Sequence, residues 1–199
     1  MTVEMIFALM GFAFVMSISP GPGNFMLLAS GVNFGFFKSL PLIFGISVGF
    51  LSMVLGVGLG LGQILEKYPF IYTVLRIICG LYVFWIAFRI ATCRSIGDGK
   101  SELSKPISFM QAAFFQLLNP KAWAVALIVT VSYTVPEDYI GNLIFLIVLF
   151  AIVNIPTISI WALSGVVLHR FLSYGNRTTI FNLTMAVLLV GSMIPMILN

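Results

Sequence analysis

Lys121 is a cation set inside an apolar run, directly after Asn119 and Pro120, and another apolar run is cut by Ser19-Pro20-Gly21-Pro22-Gly23-Asn24. These are residue types suited to holding an acid. Pro20 and Pro22 lack backbone donors and cannot continue a helix ladder, while Gly21 and Gly23 open conformations closed to other residues. A half-helix restarting near Pro22 to Asn24 would aim free amide donors and the positive end of its dipole at a carboxylate. Asn119 and Pro120 read as an N-cap and a first-turn proline, which starts a second half-helix with Lys121 on its first turn. An ammonium there opposes the helix dipole and costs at least ~2.5 kcal/mol to bury at the bilayer centre. No Asp or Glu falls within the apolar runs, so its partners are water, backbone carbonyls or an anionic ligand. The pattern favours a wet cavity in which Lys121 meets a substrate carboxylate over a pair of plain helix kinks.

The elements that must position these residues follow from the composition. Of 199 residues 60% are hydrophobic and 8% charged, against about 25% charged in a soluble domain, so the chain belongs in a bilayer. Apolar runs between charges and turn formers predict membrane spans near 5–34, 41–64, 70–91, 108–133, 140–168 and 178–197. The fold expected is all-α and integral to the membrane, with helices 1 and 4 broken at Pro20 and Pro120. Asn154 and Pro156 fall near the middle of the fifth span, where they would loosen the helix and offer an amide to the cavity or to a neighbouring helix.

Lys38, Arg89, Arg94, Lys100, Lys105, Arg170 and Arg177 share one set of alternate loops, and Lys67 alone occupies the other. The positive-inside rule then places both termini outside and the polar linker, about 93–106, in the cytoplasm. That linker divides a single transport domain, 1–199, into halves of about 1–92 and 107–199. Three spans per half is an odd number, so the halves form two inverted three-helix repeats, with the breaks in matching positions.

Gly45, Gly49, Ser52, Gly56 and Gly60 line one face of the second span, a pattern for close helix packing. Trp85, Trp123 and Trp161 read as packing or interface residues. With one histidine and two cysteines, Cys79 and Cys93, there is no metal cluster to assemble, and no cofactor is expected. No nucleotide-binding loop, nucleophile with a base, or pair of acids is present, which argues against ATP-driven pumping and against an enzyme. The net charge of +4 is dispersed over loops and offers no nucleic-acid face.

Ser19-Pro20-Gly21-Pro22-Gly23-Asn24, Gly45-Ile46-Ser47-Val48-Gly49 and Asn119-Pro120-Lys121-Ala122-Trp123 resemble motifs of the LysE/RhtB amino-acid exporters, in the same order and over nearly the whole chain. The resemblance implies a multi-pass protein of the bacterial inner membrane that exports amino acids or related small metabolites by proton antiport. It carries Pro20, Gly21, Pro22, Asn119, Pro120 and Lys121 over as motif positions. Many relatives continue the second motif with phenylalanines, where this chain has Trp123, Ala124 and Val125. The full candidate substrate set is Pro20, Gly21, Pro22, Gly23, Asn24, Asn119, Pro120, Lys121 and Asn154, with an amino acid, membrane lipid and protons as partners and a homo-oligomer left open. The coupling proton would ride on Lys121 or enter through an acid at a loop end. The rivals are a non-transporting accessory or assembly subunit and a metal-cation exporter of a related branch.

Overall fold

The computed structural model of the chain describes residues 2–61, 67–92, 105–134, 138–172 and 177–192. Within them the chain is helical, with no strand. The helices are α1 (Val3–Ile18), α2 (Pro22–Phe34), α3 (Phe36–Gly58), α4 (Pro69–Thr92), α5 (Phe109–Gln116), α6 (Pro120–Ser132), α7 (Tyr139–Leu172) and α8 (Arg177–Gly191). Most of the expected linker, 93–104, lies outside the described residues, as does Cys93.

Both expected breaks are present. α1 and α2 meet at 57°, and α5 and α6 at 63°. Among the described residues α3 and α7 are each long and apolar enough to cross a membrane, and each bent pair qualifies as one unit, giving up to four crossings. The surface is apolar, with Phe37 82% and Val131 79% exposed, whereas Ser47 and Asn182 are fully buried. An apolar shell that encloses such polar side chains suits lipid as solvent.

Three expectations need correction. The loop around Lys38 contracts to one residue, because Gly35 reverses the chain at φ 82° and α3 begins at Phe36, leaving Lys38 on its exposed first turn. The fifth span is not loosened at Pro156, since α7 runs unbroken through it for 34 residues. Hydroxyls back-bond there, Thr157 to the Val153 carbonyl at 2.6 Å and Ser159 to the Ile155 carbonyl at 2.7 Å, which helps satisfy acceptors around the proline. The small-residue stripe is only half used: Gly45 and Gly49 admit the backbone of α5 at Phe109 and Ala113, but Ser52 is exposed and Gly60 lies beyond the helix. A comparable close approach that the pattern did not reveal joins α2 to α7, where Gly31 faces the Ala162 backbone and Gly165 faces Leu28 and Val32.

The core divides into two apolar clusters. One joins α2, the start of α3, the end of α4, α5, the end of α7 and α8 around Leu27, Ile43, Ile86 and Phe115. The other joins α1, the end of α3, α6 and the start of α7 around Leu9, Val54, Val129 and Phe150. α3 and α7 each contribute to both clusters, and the two breaks fall where the clusters change over.

Candidate functional site

At the first break every carbonyl from Met16 to Ser19 is met by a side chain. Ser19 Oγ donates to the Met16 carbonyl at 3.2 Å, and Asn24 Nδ2 donates to the carbonyls of Ser17 (2.9 Å) and Ser19 (2.8 Å). The Trp161 indole donates to the Ile18 carbonyl at 3.1 Å. These bonds replace the ladder that Pro20 and Pro22 interrupt, so the unwound turn stays compatible with an apolar surround. The restarting helix has the opposite character. Gly21 is the N-cap of α2, Pro22 occupies its first turn, and no side chain caps its amide donors.

The second break is built likewise. A capping box between Ser108 and Gln111 starts α5. At its other end the Trp123 indole donates to the Leu117 carbonyl at 2.8 Å, and Asn119 caps α6 by accepting from the Lys121 amide at 3.1 Å. Trp123 and Trp161 thus each close one break, a more specific task than packing.

The side chain of Lys121 crosses from the second break to the first. Its ammonium donates to the Ser19 carbonyl at 2.7 Å and to Ser19 Oγ at 2.8 Å. There it sits at the C-terminal, negative end of α1, which offsets part of its burial cost. Of the partners open to it from sequence, the structure supplies a backbone carbonyl; the Ser19 hydroxyl was not among them.

A cavity of about 60 Å³ opens where the breaks face each other. Gly21, Pro22, Gly23, Asn24, Asn119, Lys121 and Asn154 line it; Pro20, which is exposed, and Pro120 do not. The two prolines outside the cavity shape the breaks without facing it. Ser17 and Gln116 line it as well, and apolar walls come from both clusters through Ile46, Ile158, Phe50 and Phe150. None of the lining residues is acidic, and Lys121 is the one that titrates. Asn154 links three helices, accepting from Ser47 Oγ at 2.8 Å and donating to Ser17 Oγ at 2.9 Å. Its amide therefore serves a contact between helices and borders the cavity at once. Gln116 was missed in sequence, although an amide inside an apolar run, one turn ahead of Asn119, is a readable signal. Among the described residues no group of His, Cys, Asp and Glu could hold a metal ion.

Residues 14–197 match the LysE type translocator family. The chain belongs to that family. It is 28% identical over 195 residues to a cysteine/O-acetylserine efflux protein of Escherichia coli O157:H7, with 96% of each chain covered. It is 29% identical, at the same coverage, to proteins of the same name from Escherichia coli K12 and Shigella sonnei Ss046. No solved structure matches. Family membership and the apolar helices make this a transport protein of the membrane.

Proposed function

We propose that this translocator exports small amino acids with uncharged side chains across the bacterial inner membrane, by proton antiport. The observation that carries the reading is the acid-free cavity between two broken helices, with Lys121 as its cation. A carboxylate fits between that ammonium and the uncapped N-terminus of α2. The volume, about 60 Å³, has room for roughly four to six water-sized centres, which matches a small zwitterion and not a long side chain. A second cation on the substrate would find no acid among the lining residues, so lysine and arginine are disfavoured. Cysteine and O-acetylserine, which the relatives' names mention, meet these requirements.

Transport follows from a competition for Lys121. It belongs to the second half of the chain and its acceptor Ser19 to the first, so the bond latches the halves together. An arriving carboxylate is a stronger acceptor than a carbonyl and draws the ammonium away. Loosening that latch lets one half rock against the other, with the two apolar clusters acting in turn as the closed side. The inverted arrangement is supported by helix pairing: α2 meets α7 and α3 meets α6, while α3 meets α5 and α1 meets α7. Exchanging the halves converts each of these pairs into its counterpart. Six spans, a cytoplasmic linker and external termini complete the scheme. Lys121 is the group in the cavity able to carry the coupling proton.

The test is efflux of a panel of labelled amino acids from proteoliposomes, with and without a pH gradient. Export of cysteine or serine that grows with the gradient is expected, with no export of lysine. Absence of transport for every amino acid would leave the accessory-subunit alternative standing, and gradient-independent efflux would remove proton coupling.

A further inference from the structure

Gln116 is 2% exposed, lines the cavity, and keeps its Nε2 without a hydrogen-bond partner. An unmade bond on a buried amide is costly, and native interiors seldom leave one. Its orientation is fixed by a relay whose first member has no choice. The Lys121 backbone N–H can only donate, so Asn119 must present Oδ1 to it. That turns Asn119 Nδ2 toward Gln116, whose Oε1 accepts at 3.2 Å. Flipping the Gln116 amide would set two donors against each other, so Nε2 is the atom left over.

The leftover donor stands beside the restarting helix. A Cβ built on Gly23 would lie 3.7 Å from Gln116 Nε2, and one built on Gly21 would lie 3.3 Å from Lys121 Nζ. Two side-chain donors from the second break therefore flank the Gly21-Pro22-Gly23 backbone, one over each glycine. The first-turn amides of α2 on that backbone have no side-chain cap. Donors on both breaks are what the oxygens of a carboxylate in this cavity require.

We propose that Gln116 is a specificity-determining residue of the site, its Nε2 donating to one oxygen of the substrate α-carboxylate while Lys121 receives the other. This rests on the exporter reading above and adds what that reading does not contain: a neutral donor, aimed by Asn119, that distinguishes a carboxylate from its primary amide. A carboxamide has one acceptor oxygen for these two donors, so in either orientation its NH2 faces Nε2 or the Lys121 ammonium, and it is rejected.

The test uses purified full-length protein in proteoliposomes, with radiolabelled L-cysteine as cargo and L-cysteinamide as competitor. Gln116→Met keeps the length of the side chain, removes the donor and adds no charge; a purely structural Gln116 predicts lower thermal stability, through the acceptor lost to Asn119 Nδ2, with unchanged KM. The proposal expects KM for cysteine to rise at least about tenfold, the weight of one hydrogen bond to a charged group. It also expects cysteinamide, inert toward the unaltered protein, to become a competitor, because its NH2 no longer faces the Nε2 donor. Gly23→Ala supplies a second arm: its methyl meets Ile46 Cδ1 at 3.5 Å and Gln116 Nε2 at 3.7 Å, ordinary contacts that the fold accommodates. It should raise KM while leaving thermal stability unchanged or higher. Wild-type KM and unchanged amide discrimination in Q116M, or wild-type KM in G23A should Q116M fail to insert, overturns the assignment of Gln116. Absence of cysteine transport by the unaltered protein would instead overturn the reading of the substrate.

Discussion

Replacing Lys121 by methionine separates a transport role from a packing role, because the structure gives the two opposite consequences. The substitution keeps most of the apolar stem and removes the ammonium. Its two acceptors are not orphaned, since the Ser19 carbonyl still receives Asn24 Nδ2 at 2.8 Å and Ser19 Oγ still donates to the Met16 carbonyl. Two charge-assisted bonds are lost, roughly 1.5–3 kcal/mol each, but the burial cost of the cation, at least ~2.5 kcal/mol, disappears with them. Stability should therefore change by no more than a few kcal/mol, and membrane abundance should hold. Transport has no such compensation. A carboxylate without its counter-cation loses about 1.5–3 kcal/mol, which is a factor of roughly 10 to 150 in affinity. The assay is initial efflux of labelled cysteine from proteoliposomes holding equal amounts of monodisperse protein. Wild-type efflux by K121M would refute the role given to the cation, and collapse of its abundance would favour a packing subunit.

The other perturbations test the scaffold that aims these groups. Asn154→Ala strands Ser17 Oγ and Ser47 Oγ; a loss of about 1–3 kcal/mol, several degrees in Tm, is expected from thermal unfolding in detergent. Gly165→Ala places a methyl 2.8 Å from the Val32 amide nitrogen and 2.9 Å from Gly31 Cα, backbone atoms that cannot turn aside, so folded yield by size-exclusion chromatography should fall sharply. Gly11→Ala, where the added carbon meets nothing within 4 Å, is its control and should be neutral or stabilising by up to about 1 kcal/mol. Trp161→Phe leaves the Ile18 carbonyl without its indole donor; about 1 kcal/mol is expected, read as faster hydrogen exchange around residues 18–24.

How far the sequence reveals this site depends on the length scale of each cause. The breaks were legible because proline and glycine act locally: Pro22 and Pro120 each stand at the first position of a half-helix, as their missing donors require. The N-cap role of Asn119 was legible for the same reason. What Asn24 does was not, since its amide turns back to Ser17 and Ser19 only after α1 and α2 have bent against each other. The contact between Lys121 and Ser19 spans 102 positions and needs both breaks at one depth. Gly31 and Gly165 meet between helices far apart in the chain, and neither belongs to the stripe on the second span. Conversely, the stripe from Gly45 to Gly60 had the right spacing, but periodicity does not say where a partner helix ends, and α5 reaches only its first two glycines.

In the transport cycle we propose, the lack of acid in the cavity gains its meaning from the latch. If a protein carboxylate faced Lys121, the ammonium would be held by a charge as strong as any cargo could bring, and substrate binding would release nothing. A neutral carbonyl and hydroxyl hold it more weakly, so a carboxylate can displace them, and the difference between the two bonds is available to drive the rearrangement. A ligand shifts a conformational equilibrium only by its differential affinity for the two states. The same reasoning accounts for why the carbonyls of the first break are so fully occupied by Ser19, Asn24 and Trp161. When Lys121 leaves, Asn24 still satisfies the Ser19 carbonyl, so the latch can open without exposing an unpaired backbone group to lipid.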